Sequence, residues 1–104
     1  MGACNFLNEC VAKDYKDAYA SLVEDALYDY GHDPYNGTIS TCYLSRRAPK
    51  VIQKTYGPRA EKAALKLIES EDWGEKREAR VLDLGAVKGK RGAHMWWFYG
   101  WAAC

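Results

Sequence analysis

The sequence lacks the features that mark export and membrane insertion. Residues 1–11 contain no basic segment followed by a long apolar run, which argues against a signal peptide. No stretch approaches the roughly 20 consecutive apolar residues of a membrane-spanning helix. The longest apolar run, Met95 to Tyr99, has the length of a strand. We therefore expect a cytoplasmic protein that does not bind a membrane.

Cysteine and histidine are few and widely spaced. Metal sites need closely spaced ligands, and the sequence contains no C-x-x-C pair. We expect no bound metal and no other cofactor. Because no export signal is present, we also expect the thiols to be reduced and structural. The residues concerned are Cys4, Cys10, Cys42, Cys104, His32 and His94.

Signatures of enzyme classes are missing as well. The sequence has neither a G-x-S-x-G nor an H-E-x-x-H motif. The neighbouring carboxylates Glu71 and Asp72 lie at a predicted helix end, where such residues cap the helix or are solvated. We expect a protein without catalytic activity. A small hydrolase that pairs Cys10 or Cys42 with a histidine remains an open alternative.

The net charge is close to zero, at +1, from 15 lysines and arginines against 14 acidic residues. That balance excludes a polycation that binds nucleic acid non-specifically. The charge is divided unevenly, however. Residues 1–33 carry seven acids and two lysines, whereas residues 34–104 carry thirteen basic and seven acidic residues. This division favours self-association or an anionic ligand held by the C-terminal part; two solvated faces are the alternative.

Aromatic residues, by contrast, are abundant: four Trp, eight Tyr and two Phe in 104 residues. A chain of this length forms one domain, residues 1–104, and buries roughly 60–70% of its unfolded surface. Its core is therefore modest. We expect some of the aromatic rings to lie on a surface that another molecule covers.

The spacing of apolar residues predicts two helices. The first spans 15–30, with Asp14 as its N-cap and Gly31 as its C-cap, and apolar residues recur along it at i, i+3, i+4 and i+7. The second begins at Pro58 and closes at 71–74. Alternation and β-branched residues predict strands over 2–13, 38–44, 77–84 and 94–103. The expected fold is α+β, in the order β-α-β-α-β-β, with both helices packed on one face of a mainly antiparallel sheet.

Two basic segments are candidates for an anion-binding site. Arg46 and Arg47 follow a predicted strand and can hold phosphates bidentately or stack on a ring. The loop 85–92 combines three glycines with basic residues, but it lacks the ending of a Walker A loop. Solvated loops are the alternative for both segments, and whether they meet stays open. With nearby aromatic and turn residues, the candidate ligand-binding set is Tyr35, Asn36, Tyr43, Arg46, Arg47, Trp73, Lys88, Lys90, Arg91 and Trp96.

The last predicted strand, 94–103, is aromatic on both faces. Trp97 and Tyr99 belong to one row, and Trp96 and Phe98 to the other. One row should pack on the helices. The other is covered by a partner subunit or by stacked bases, or the strand is central and buried on both faces.

Three stretches resemble small phage and prophage proteins: 26–32 running into Tyr-Asn-Gly-Thr-Ile at 35–39, Asp-Trp-Gly at 72–74, and Phe-Tyr-Gly-Trp-Ala at 98–102. Among characterised groups the chain is similar to the Thoeris anti-defence sponge family. It departs from the usual pattern at 40–42, where Ser-Thr-Cys replaces Ala-Glu-Lys, and at 75–76, where Glu-Lys replaces a proline.

This resemblance implies a non-catalytic homo-oligomer that sequesters a cyclic nucleotide immune signal without cleaving it. The ligand implied is a cyclic ADP-ribose isomer, or in some members a cyclic oligonucleotide, inside an infected bacterial host. No ligand residues are transferred from the family. The alternative is an inhibitor that binds a protein of a bacterial defence complex, such as a CRISPR effector.

Overall fold

The computed structural model describes residues 3–31, 37–70 and 77–103, apart from the side chains of Ala3, Tyr30 and Ala103. The α+β class and the predicted order of the longer elements are confirmed. The predicted turn at 32–36 and the predicted helix end at 71–74 lie outside the described residues. The elements are β1 (Ala3–Ala12), α1 (Tyr15–Tyr30), a 3-10 turn (Ile39–Thr41), β2 (Tyr43–Leu44), β3 (Lys50–Val51), α2 (Pro58–Ser70), β4 (Glu78–Ala86) and β5 (His94–Ala103).

Helix α1 begins and ends where its capping residues predict. The Asp14 side chain accepts a hydrogen bond from the Lys16 backbone N–H at 3.3 Å. At the other end Gly31 has a φ of 77°, and its N–H donates to the Leu27 carbonyl at 2.9 Å. A positive φ favours glycine, so this residue stops the helix at little steric cost.

The sheet is mixed, and its strands lie in the order β1-β5-β4-β2, with β3 also paired to β4. Among the three long strands, β5 pairs antiparallel with both β1 and β4, as predicted. Both β2 and β3 run parallel to β4. Helix α2 lies between β3 and β4 in the chain, and such a crossover is what a parallel connection requires.

The predicted strand over 38–44 is wrong for most of its length. Only Tyr43 and Leu44 are extended strand, whereas Ile39–Thr41 forms a 3-10 turn. The cause is local: the Thr38 hydroxyl oxygen accepts a hydrogen bond from the Ser40 N–H at 3.3 Å. A side-chain oxygen that bonds the backbone two residues on competes with strand pairing.

The two helices pack on opposite faces of the sheet, which corrects the prediction that they share one. One cluster, the α1 face, joins Ala18 and Ala26 of α1 to Val81, Trp96 and Phe98 of the sheet. Successive residues of a strand point to opposite faces, so neighbouring residues of the same strands form the other cluster. That cluster, the α2 face, contains Ala60, Ala64, Ile68, Leu82, Leu84, Met95, Trp97 and Tyr99.

Strand β5 is internal, and both of its aromatic rows are buried. Phe98 on the α1 face is fully buried, and Tyr99 on the α2 face is 2% exposed. Of the two interpretations open from sequence, the central strand buried on both faces is therefore confirmed. Neither row needs a partner subunit to cover it. No helix in the described ranges has both the length and the apolar character that crossing a membrane requires.

Candidate functional site

The chain between β2 and β3 leaves the edge of β4 and returns to it. The Ser45 N–H donates to the Ala79 carbonyl at 2.9 Å, and the Ile52 N–H donates to the Asp83 carbonyl at 2.8 Å. Between these two points the segment 46–49 turns away from the sheet. The excursion leaves a gap along β4 and places the side chains of 46 and 47 at its rim.

Basic side chains surround this gap. Arg46, Arg47 and Lys50 come from the excursion and are exposed, and Arg80 comes from β4 and is partly buried. The Tyr43 ring lies beside them, 48% exposed. We call these five residues the basic edge. The parallel pairing of β2 and β3 with β4 brings them together, because it sets residues 43–51 alongside 78–83.

A carboxylate holds part of the basic edge in place. Glu78 Oε1 accepts a hydrogen bond from Arg80 Nε at 3.2 Å, and Glu78 Oε2 accepts one from the Ser45 hydroxyl at 3.2 Å. The Ser45 oxygen in turn accepts the Arg47 N–H at 3.2 Å. Burial lowers the pKa of the Arg80 guanidinium, but hydrogen bonds with Glu78 and Tyr99 outweigh it and raise the pKa. Arg80 is therefore a fixed cation.

Two adjoining depressions open on the basic edge. The larger, about 590 Å³, is lined by Tyr43, Leu44, Arg46, Arg47 and Glu78. The smaller, about 220 Å³, lies in the gap itself, where Arg47, Lys50 and Arg80 are among its lining residues. Arg47 lines both. The arrangement offers a ring and several cationic donors to a molecule that carries negative charge.

The second basic segment lies elsewhere. It forms the hairpin loop between β4 and β5, where Lys90 and Arg91 line an open depression of about 400 Å³. Arg46 and Arg47 flank the beginning of β4, and the loop follows its end. Arg80, beside Arg47, is six residues before Ala86 at the end of β4, a separation of about 20 Å at ~3.3 Å per residue. The two segments, Lys88 included, do not form one pocket within a single chain.

Trp96 is a core residue, which corrects its assignment to the ligand site. It is 7% exposed, its Nε1 donates to the Ala12 carbonyl at 2.9 Å, and its ring lies 5.8 Å from that of Tyr15. The His94 ring stacks on it at 5.6 Å. No face of this ring is open to a base. The other predicted site residues, Tyr35, Asn36 and Trp73, lie outside the described residues.

Lys50, Glu78 and Arg80 line the site but are not among the residues predicted for it from the sequence. Lys50 carries a visible signal, since it lies four residues from Arg46 in the same basic stretch. Arg80 carries none, because its place beside Arg47 depends on a parallel pairing between segments more than thirty residues apart. Local patterns in a sequence do not show which distant strands pair.

One of the described cysteines departs from the prediction of reduced thiols. Cys4 is disulfide-bonded, so the prediction of reduced thiols is wrong for this residue. Cys10 and Cys42 are free thiols. Burial raises the pKa of both, which disfavours the thiolate that a cysteine nucleophile needs.

Neither a metal centre nor a relative explains the basic edge. The described ranges contain no group of three or more His, Cys, Asp or Glu side chains that could hold a metal ion. No protein-family model matches the chain, and no curated protein or solved structure matches it significantly.

Proposed function

We propose that the protein binds an anionic nucleotide at the basic edge and holds it without cleaving it. The observation that carries this proposal is the juxtaposition of the exposed Tyr43 ring with three exposed cations and Arg80 around two adjoining depressions. A nucleotide needs cations for its phosphates and a ring for its base. Because the site is open on one side, the ligand is held mainly by charge and stacking.

The class of nucleotide proposed is a cyclic immune signal, and the role proposed is phage-type anti-defence. This part rests on the resemblance to Thoeris anti-defence sponges. The raised pKa values of Cys10 and Cys42 support binding rather than hydrolysis, because neither thiol is activated as a nucleophile. A sponge needs only affinity, and the cations and the Tyr43 ring of the basic edge are groups that give affinity.

The test compares two double variants that remove the same charge. Arg46→Ala with Arg47→Ala alters the basic edge, and Lys88→Ala with Lys90→Ala alters the hairpin loop at the other end of β4. Calorimetry with a cyclic ADP-ribose isomer and with a cyclic dinucleotide measures affinity. A charge-assisted hydrogen bond contributes about 1.5–3 kcal/mol, so the first pair should lose at least about tenfold in affinity. The second pair should bind as the unmodified protein does.

The fate of the ligand is measured on the same samples. Heat denaturation of the complex should release the nucleotide with its original mass in liquid chromatography–mass spectrometry. A hydrolysed product would contradict sequestration. Absence of binding to both nucleotides, or an equal loss in the two double variants, would contradict the basic edge as the site.

A second function is favoured by a different surface. Tyr28 on α1 is 90% exposed, and its neighbours Glu24, Asp25 and Asp29 are also exposed. An exposed aromatic ring among carboxylates suits a basic protein surface. This is the alternative in which the chain inhibits a defence complex. Tyr28→Ser should then weaken retention of a purified CRISPR effector, and Leu65→Ser, an exposed position on α2, should not.

A further inference from the structure

Strand β1 is a long outer strand whose own sequence lacks the features that usually protect a sheet edge. Its ten residues pair with β5 in one uninterrupted register, from Ala3 opposite Ala103 to Ala12 opposite His94. Among the described residues it has no neighbouring strand on its other side. Edge strands are ordinarily protected by proline, lysine or a bulge. β1 contains neither residue and no bulge against β5, and Glu9 is its one charged residue.

We propose that a second copy of the chain pairs antiparallel with β1, so that two sheets join into one across a two-fold axis. Such pairing satisfies the outward N–H and C=O groups of both strands at once. It also covers Leu7, which is 43% exposed on the α2 face. This surface is separate from the basic edge, which lies at the opposite side of the sheet beyond β4.

Strand geometry restricts the register. A two-fold axis perpendicular to the sheet keeps the α1 face of one copy continuous with the α1 face of the other, so residues pair only with residues that point to the same face. Two such registers pair all but one residue of each strand, with the axis at Leu7 or at Asn8. The register that pairs every residue sets α1-face residues against α2-face residues, and this symmetry excludes it.

Side-chain chemistry selects between the two. With the axis at Asn8, the apolar Leu7 lies opposite the carboxylate of Glu9. With the axis at Leu7, Leu7 lies opposite Leu7 of the second copy, and Asn5 lies opposite Glu9 on both sides of the axis. The Asn5 amide then donates a hydrogen bond to the Glu9 carboxylate, and the two leucine side chains contact each other. A cavity of about 140 Å³ lined by Leu7, Asn8, Glu9 and Trp97 lies beside this position.

The first experiment measures mass in solution. Sedimentation velocity between about 5 and 200 µM should give the dimer, twice 11.8 kDa. Leu7→Lys should dissociate it at least about tenfold more easily, because two ammonium groups would meet on the axis. Leu65→Lys is the matched control: Leu65 is 46% exposed on α2, and the change should leave the mass unchanged. Thermal unfolding by circular dichroism verifies that each variant folds.

The second experiment tests the register by exchange of charge. Glu9→Lys places lysine opposite Asn5 and should weaken the dimer several-fold. Adding Asn5→Asp places a carboxylate opposite that lysine and should restore the affinity. Both positions are exposed, so these variants remain informative if Leu7→Lys fails to fold. A mass of 11.8 kDa at every concentration, an unaffected Leu7→Lys dimer, or dissociation by Leu65→Lys would each overturn the proposal.

Discussion

His94 Nδ1 lies 2.9 Å from Asp83 Oδ1, and the same oxygen accepts the Gly85 N–H at 2.9 Å. Asp83 is buried, and it stands where the register between β4 and β5 shifts before Ala86. The carboxylate therefore joins the irregular end of β4 to the first residue of β5. A buried charged residue with two such partners stabilises a particular backbone path.

Asp83→Ala should destabilise the fold by about 1–3 kcal/mol, since the Gly85 N–H and His94 would both lose their acceptor. Asp83→Asn keeps an acceptor oxygen and should therefore lower the free energy of unfolding by less than Asp83→Ala. Urea unfolding followed by tryptophan fluorescence measures the free energy of unfolding. Equal stability of the alanine variant and the unmodified protein would contradict a structural role.

The two buried tryptophans of β5 should respond differently to loss of the indole N–H. Trp96 Nε1 donates to the Ala12 carbonyl, whereas Trp97 Nε1 is buried with no hydrogen-bond partner among the described residues. Their exposed fractions are nearly equal. We expect Trp96→Phe to cost about 1 kcal/mol more than Trp97→Phe in chemical denaturation. The reverse order would contradict the assignment of these contacts.

Gly85 should not tolerate a side chain. Its φ of 108° is unfavourable for other residues, and a Cβ there would lie 2.7 Å from the Gln53 carbonyl oxygen and the Thr55 backbone. Gly85→Ala should lower the unfolding free energy by at least about 2 kcal/mol. Gly89→Ala is the control, because its φ is also positive but no atom lies within 4 Å of the added Cβ. Equal effects of the two changes would contradict the steric argument.

The phenol of Tyr56 should lose its proton only at strongly alkaline pH. Its hydroxyl donates to Glu61, and this bond, with burial and the nearby carboxylates, raises the pKa of Tyr56 to about 12 from a usual value of 10.0. An acid whose folded pKa exceeds its unfolded pKa adds stability below pH 10, and that stability is lost as the pH rises through 12. Unfolding should therefore become easier between pH 10 and 12.

A titration followed by NMR with carbon-13 at the tyrosine ζ position resolves Tyr56. Glu61→Gln should move its pKa back toward 10, since the carboxylate acceptor is gone. Tyr56→Phe should abolish this part of the pH dependence of stability. An unchanged pKa in Glu61→Gln would contradict the cause given.

Removal of the carboxylate from the basic edge should strengthen anion binding. Glu78 forms an ion pair with Arg80 and accepts the Ser45 hydroxyl. Glu78→Gln preserves the shape and frees positive charge, so affinity for a nucleotide should rise by about threefold to tenfold. Calorimetry at low and high salt measures the affinity, and the increase in affinity should be smaller at high salt because salt screens the charges. A weaker affinity at low salt would show that Glu78 acts by positioning Arg80.

The sequence carries strong local signals, and these predict the helices and long strands well. Asp14 and Gly31 delimit α1, and the bounds predicted for β5 are those observed. The turn at Ile39–Thr41 was missed because a threonine side chain competes with strand pairing. The two aromatic rows of β5 also indicate that both faces of this strand are buried. The periodicity of apolar residues does not show, however, on which face of the sheet each helix packs.

The candidate site was predicted in part. Tyr43, Arg46 and Arg47 line one depression, because they are neighbours in the chain. Arg80 joins them through strand pairing, and the hairpin lysines are separated from them by the length of β4. The sequence does not show that the Trp96 ring is unavailable to a ligand, because the carbonyl that its indole N–H bonds, that of Ala12, lies 84 positions away. The part of the site formed by neighbours in the chain is thus predictable from the sequence, whereas the part that strand pairing brings together is not.

The pairing of β1 with β5 also has a consequence for biosynthesis. The first strand of the fold hydrogen-bonds along its whole length to the last one, so its partner emerges from the ribosome about 80 or more residues later. Until then, the hydrophobic side of α1 has no completed sheet to cover. Contacts this distant in sequence slow folding relative to that of helical proteins of the same size. A ribosome stalled before residue 94 would therefore display a chain in which β1 and β4 lack the strand that lies between them.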